Sequence, residues 1–306
     1  MLKEQLRQLL GKRLGDYLTE EIKETEMIRE IRLRRERPVI VSCQREEKIL
    51  QIIPTEREIR DIVEGACGYS GYAFEEEIRK GYLTVPGGHR IGLAGKAVMT
   101  ERGVQTLKNI SALNIRVAHP RIGCGEKWKD FFYEKGVPCH SLIISPPGCG
   151  KTTLLRDLVR IFSDGQSPYQ GVTVGVVDER SEIAGTFKGV TVHDLGMRTD
   201  ELDASPKSNG MEMLLRSMSP RVLAVDEIGS LDVPAIENAL RCGSKVLATL
   251  HGANLQEFLE KPGFEKLIRE KVFERYLFLG QGGSPGRVEK IYDRNFEVLW
   301  EETACI

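Results

Sequence analysis

The chain has 306 residues, of which 41% are hydrophobic, and its 44 basic and 45 acidic side chains leave a formal net charge of -1. That length points to two domains with ordinary apolar cores, and the near-neutral balance supplies no global positive field, so no nucleic acid is expected as a partner. No apolar run approaches the ~18 residues of a membrane span, and the amino terminus lacks the apolar core of a signal peptide, so a cytoplasmic protein without a span of its own is expected.

Residues 1–18 place Leu2, Leu6, Leu9, Leu10 and Leu14 on one face of a helix that Gly11 and Gly15 weaken. Ile31 to Val41 reads as one strand, with Arg29, Arg32, Arg34, Arg35 and Arg37 as a local basic cluster. No aromatics interleave with those arginines, and a half-solvated strand accounts for them. Thr55-Glu56-Arg57-Glu58 matches a capping box, so a helix starts there and buries Ile59, Ile62 and Val63. Ser70 to Lys80 is a second helix, with Phe74 and Ile78 one turn apart. Tyr82 to Met99 reads as a hairpin turning at Pro86-Gly87-Gly88. Its Gly88, Gly92 and Gly95 mark strand bends or close backbone packing, because no helix follows them. Ile110 to Val117 is a further strand. Residues 118–138 are rich in breakers and hold the domain boundary. The predicted organisation is an α+β domain over 1–120, a linker over 121–138 and an α/β domain over 139–306.

The second half alternates strand and helix, the pattern of a mostly parallel sheet covered on both faces. Strands are predicted at Leu142 to Ile144, Val172 to Val177, Val222 to Val225, Val246 to Leu250 and Tyr276 to Leu279. Arg287 to Trp300 adds an antiparallel pair around Asp293-Arg294-Asn295. Arg198 to Met218 is a polar crossover ending in a helix with Met211, Leu214, Leu215 and Met218, either a nucleotide-responsive loop or an ordinary connection.

The chemistry gathers at Ser145-Pro146-Pro147-Gly148-Cys149-Gly150-Lys151-Thr152-Thr153, a glycine loop between a strand and a helix. Such a loop turns backbone N–H groups inward and adds the positive end of the new helix, which suits phosphates. Lys151 can reach the β- and γ-phosphates of ATP, and the Thr152 hydroxyl can ligate Mg²⁺. Ser145 departs from the glycine that the motif expects at its first position. Cys149 is a small spacer or an oxidisable thiol. The seven cysteines are odd in number and without a Cys-x-x-Cys pair, which argues against a zinc site or a disulfide framework.

Ligands of open α/β sheets bind at the carboxyl ends of the strands. Three such ends carry polar groups. Val222 to Val225 ends in Asp226, suited to hold Mg²⁺, and Glu227, suited to orient or deprotonate water. Val174 to Val177 ends in Asp178, Glu179 and Arg180. The two acids are candidates for holding metal-bound water or for supporting the groups that hold it, and the arginine for pairing with them or reaching a neighbouring subunit's γ-phosphate. Ala248-Thr249-Leu250-His251-Gly252 ends in His251, placed to sense the nucleotide.

In this order the four segments resemble the hexameric secretion and pilus-motor ATPases: their Walker A loop, their Asp box, their Walker B strand and their His box. Asp178-Glu179-Arg180-Ser181-Glu182-Ile183-Ala184-Gly185, Ser217-Met218-Ser219-Pro220 and Asn109 to Arg116 are similar to a branch found in endospore-forming bacteria. The resemblance implies a RecA-like P-loop ATPase domain behind a smaller α+β domain. It implies ATP and Mg²⁺ as ligands and a homo-oligomeric ring, a hexamer. The ring would serve membrane-embedded channel or secretion components between mother cell and forespore, from the mother-cell side. Lys151, Thr152, Asp226, Glu227 and His251 carry over directly, and Arg90 and Arg116 are candidates for the arginines by which the first domain of such motors reaches the nucleotide. Two other readings stay open: a nucleic-acid-stimulated ATPase with the same core, and a scaffold that binds nucleotide without turnover.

Overall fold

The computed structural model describes residues 2–23, 25, 28–43, 46–67, 75–85, 88–100, 103–119, 121–186, 191–281 and 285–302. They sort into two compact units, Met1–His119 with Gly185–His193, and Pro120–Ala184 with Asp194–Ile306.

The first unit opens with helices α1 (Leu2–Leu10) and α2 (Lys12–Glu21) rather than one helix. Gly11 breaks the run at φ 76°, a left-handed conformation that glycine adopts without penalty. Gly15 lets the two helices touch, since a Cβ there would lie 2.8 Å from Arg7 Cα. Strands β1 (Ile28–Arg34), β2 (Arg37–Cys43) and β3 (Glu47–Leu50) follow, then α3 (Glu56–Ala66), α4 (Glu75–Lys80), β4 (Tyr82–Val85), β5 (His89–Thr100) and β6 (Gly103–Arg116). The single strand expected over Ile31 to Val41 is a hairpin. Glu36, at φ 59°, turns the chain inside the polar run Arg34 to Arg37, where no glycine or asparagine signals a turn. The capping box at Thr55 forms as read, with Glu58 N–H donating to Thr55 Oγ1 at 3.2 Å. Ser70 to Phe74 and the Pro86-Gly87 turn lie outside the described residues. The strands pair antiparallel in the order β3-β2-β1-β6-β5-β4. Leu6, Leu14 and Leu18 of the helices meet Ile31, Leu33, Val41 and Ile115 of the sheet in one core. At Gly95 a Cβ would lie 2.7 Å from the Lys108 carbonyl oxygen, so that glycine serves close backbone packing.

The second unit begins with a short hairpin, β7 (Tyr133–Glu134) and β8 (Val137–Pro138), then β9 (Ser141–Ser145), α5 (Lys151–Asp164) and β10 (Val174–Asp178). β11 (Thr199–Asp203), α6 (Lys207–Ser217), β12 (Val222–Val225), α7 (Val233–Arg241), β13 (Lys245–His251), α8 (Leu255–Leu259) and α9 (Glu265–Arg269) follow. β14 (Arg275–Leu279), β15 (Val288–Asp293) and β16 (Val298–Glu301) close it. The sheet order is β11-β10-β12-β13-β9-β14-β15-β16, parallel from β11 to β14 and antiparallel over the last pairs. Alternation along the central strands serves two cores. Ile143, Val176 and Ala224 pack with Leu154, Leu158 and Phe162 of α5. Leu142, Ile144 and Val225 pack with Leu214 of α6 and Ile236 of α7. The strands are therefore buried on both faces, which is why they read as continuous apolar runs.

Three boundaries differ from the sequence reading. Residues 121–138, expected as linker, are part of the second unit: Trp128, Phe132 and Tyr133 are buried, and Asp157 of α5 accepts N–H bonds from Gly123 and Gly125 at 3.0 and 2.7 Å. The second domain is not continuous over 139–306, because Gly185–His193 belongs with the first unit. The Arg198 to Met218 crossover holds the edge strand β11, whose Thr-Asp-Glu-Leu-Asp has too little apolar content to show a strand pattern. Among the described residues no helix is long and apolar enough to cross a membrane.

Candidate active site

All residues of the site lie in the second unit, at the carboxyl ends of its parallel strands. β9 delivers the chain into the loop at Ser145. This residue is still strand, paired with His251 and free of positive φ, so nothing in the backbone requires glycine at the first motif position. Gly148 and Gly150 take φ 74° and 95°, and α5 starts at Lys151. At Gly150 space is also tight: a Cβ would lie 2.8 Å from Gly286 N, and that same N–H donates to the Cys149 carbonyl at 2.7 Å. The turn before β15 thus braces the loop. Cys149 is buried, with Sγ against the Pro147 carbonyl at 3.7 Å. Thr153 is in the first turn of α5, and its carbonyl faces Cys124 Sγ at 3.7 Å.

Lys151 is buried and donates to the carbonyls of Ser145 and Pro146 at 2.9 and 3.0 Å. Burial pulls its ammonium below the ordinary lysine range, and the Asp226 and Glu227 carboxylates pull it back up. Thr152 Oγ donates to Asp226 Oδ2 at 2.6 Å, joining the helix start to the end of β12. Asp226 Oδ1 accepts from the Glu227 N–H at 3.0 Å and from the Thr249 hydroxyl. Oxygen donors at this point, a threonine hydroxyl against a carboxylate, suit a hard cation such as Mg²⁺. Thr152 and Asp226 would hold it.

Glu227 has φ 50°, a conformation that disfavours a β-carbon and that clusters at functional sites. Its N–H is fixed on Thr249 Oγ1 at 2.8 Å. Its carboxylate lies between two cationic or donor groups, Arg180 Nη1 at 2.6 Å from Oε2 and His251 Nε2 at 2.8 Å from Oε1. Three strand ends therefore meet on one side chain. Glu179 pairs instead with Lys207 at 2.5 Å. Asp178, Glu179, Arg180, Glu182, Lys207, Asp226 and Glu227 line one small pocket.

Asp178 turns back into the protein, with its carboxylate within 4.8 Å of ligand atoms of Glu201 and Asp203. It is 2% exposed, and its carboxylate accepts the N–H groups of Glu182, Ile183 and Ala184 at 2.8, 2.8 and 2.9 Å. It fixes the loop that carries Arg180. Arg156 of α5 holds the same loop from the other side through the carbonyls of Ile183 and Glu182, at 2.6 and 2.7 Å. Sequence reasoning missed Arg156, Lys207, Gly286 and Thr249. For Thr249 a signal existed, since it stands two residues before His251 and so on the same face of β13. In the first unit, Arg90 lies over the Tyr82 ring at 4.5 Å and Arg116 pairs with Glu30 at 3.5 Å.

A buried parallel sheet, a glycine loop entering a helix at Lys-Thr and an aspartate from a nearby strand on that threonine place the second unit in the P-loop class. The chain belongs to the family described as sporulation stage III, protein AA, whose model matches residues 1–299. Stage III sporulation protein AA of Bacillus subtilis (strain 168) is 42% identical over 277 residues, 90% of either chain. Among solved structures, the pilus retraction motor PilT with bound ADP superposes with a TM-score of 0.60 at 16% identity, covering 94% of this chain and 83% of that one. The Legionella pneumophila ATPase DotB gives 0.58 at 15% identity, covering 89% and 78%. These two share the fold.

Proposed function

We propose that this protein is a Mg²⁺-dependent ATPase that assembles as a homohexameric ring and powers or assembles the mother cell–forespore channel. The bond from Thr152 to Asp226 carries the reading, because it brings the phosphate-loop helix and the acidic strand end to one point. Loop N–H groups from Gly148 to Thr152 receive the phosphates, and Lys151 leaves its two carbonyl partners to neutralise them. Mg²⁺, when bound, offsets the charge that develops on the transferring phosphoryl group. Glu227 takes the proton of the attacking water while a bond forms from its oxygen to the γ-phosphorus and the bond to the β,γ-bridging oxygen breaks. Arg180 and His251 orient Glu227, and Glu179 stands beside it on Lys207. The resemblance of its motif segments to those of secretion and pilus-motor ATPases is what supports ring assembly and a membrane-embedded partner. Membership in the sporulation family is what supports placing it in the mother-cell cytoplasm.

Lys151→Ala tests the reading. Phosphate release should fall at least ~1000-fold, with mass measured with and without ATP and Mg²⁺ to follow ring formation. Unchanged turnover in the variant would remove the proposal, and tight binding of ATP by the wild type without turnover would favour a nucleotide-gated scaffold.

A further inference from the structure

One buried polar side chain at this site lies inside the Ala248 to Gly252 segment but has no role there in the sequence reading. Thr249 of β13 is 0% exposed, and its hydroxyl touches both acidic residues, Asp226 through Oδ1 and Glu227 through the backbone N–H at 2.8 Å. The direction of each hydrogen bond follows from the groups. An ionised carboxylate only accepts, so Thr249 O–H donates to Asp226, and its oxygen is left to accept from Glu227 N–H. Thr152 O–H donates to the other oxygen of the same carboxylate at 2.6 Å. Two hydroxyls from two elements thus fix the plane of Asp226, and the lone pairs of Thr152 are turned away from it. A hydroxyl that ligates a cation needs that orientation. The same Thr249 oxygen anchors the amide of Glu227 in its left-handed conformation at φ 50°.

We infer that Thr249 is the positioning residue for both carboxylates, setting Asp226 toward a divalent cation and Glu227 toward water. The inference rests on the proposed nucleotide site. It assigns to β13 a second contribution beside His251, two residues on and bonded to the Glu227 side chain at 2.8 Å. The strand therefore holds Glu227 at both ends, amide and carboxylate.

A packing role for the Thr249 methyl is separable from a role for its hydroxyl. Thr249→Val keeps the shape and removes the hydroxyl; Thr249→Ser keeps the hydroxyl and removes the methyl. Groups that orient metal ligands are typically worth ~10–100-fold in affinity or activity. For Thr249→Val, turnover at saturating ATP should fall about 30-fold, and the Mg²⁺ concentration for half-maximal binding of a fluorescent ATP analogue should rise about tenfold. Binding of that analogue in EDTA should stay the same. Thr249→Ser should remain within about threefold of wild type in every measurement, even with a lower melting temperature. A valine variant with wild-type Mg²⁺ dependence, or a serine variant that fails as badly as valine, overturns the inference. The binding titration needs no hydrolysis. A wild type without turnover would therefore count against the ATPase reading, while the Mg²⁺ shift still judges Thr249.

Discussion

Strands β10 and β12 lie side by side, run parallel and leave the core through Val-Asp-Glu, yet their aspartates have opposite tasks. Asp178 turns back into the protein and serves three backbone N–H groups of the loop that follows it. Asp226 reaches sideways, to one hydroxyl on α5 and another on β13. The first organises chain and the second organises side chains. Their following glutamates divide too. Glu179 is exposed and held by a single lysine, whereas Glu227 is clamped between Arg180 and His251. An acid at a strand end beside the glycine loop is therefore not assigned its task by position alone. Asp178 is taken up by three backbone donors, whereas Asp226 takes one, the Glu227 N–H, beside its two hydroxyls.

The comparison breaks most sharply on paired substitutions. Asp226→Asn should cut phosphate release at least ~100-fold while leaving the unfolding free energy within about 1 kcal/mol, because the isostere keeps an acceptor for one hydroxyl. Asp178→Ala should do the reverse in kind. Two buried N–H groups and one part-buried one lose their acceptor, which costs about 3 kcal/mol in denaturant unfolding, and activity falls only through the loop. Equal loss of stability in the two variants would erase the distinction drawn between the strands.

A smaller effect tests what the Asp178 loop is for. It presents Arg180, whose side chain is 59% exposed and pairs with Glu227 at 2.6 Å. If the arginine orients that carboxylate, Arg180→Ala should lower turnover about tenfold, with ATP affinity and melting temperature little changed. A drop in ATP affinity with turnover intact would move Arg180 from the glutamate to the phosphates.

Much of this arrangement was legible in the chain because its signals are local. A glycine loop after Leu142-Ile143-Ile144, and Asp-Glu after Val222 to Val225, declare themselves in a few residues. The β11 edge strand did not, since Thr199 to Asp203 carries one apolar side chain and takes its strand character from pairing with β10. The turn at Glu36 has no glycine or asparagine to announce it, and the packing of Trp128 against Trp300, with ring centroids 4.7 Å apart, depends on a partner remote in sequence. The split roles of Asp178 and Asp226 were hidden behind a shared Val-Asp-Glu. Both strands run out through that tripeptide, and the sequences part only after it, at Arg180 and Ile228.

The least of the expected effects is a pH dependence, and its sign is diagnostic. Burial holds the Asp178 carboxyl above its ordinary range; the N–H bonds from Ala184, Glu182 and Ile183 oppose this, and the nearby Asp203 carboxylate adds to it. An acid with a raised folded value binds its proton more tightly folded than unfolded. Its contribution to stability is therefore fully present below the ordinary value of 3.8 and is lost as pH rises through the folded value. Asp178→Asn has no proton to lose at this position. The stability difference between wild type and Asp178→Asn should accordingly shrink from about pH 4 to about pH 7, read by urea unfolding at each pH. A difference that grows with pH would mean that the three N–H bonds outweigh burial. Asp178 would then be a stabilised anion, electrostatically closer to Asp226 than its backbone role implies.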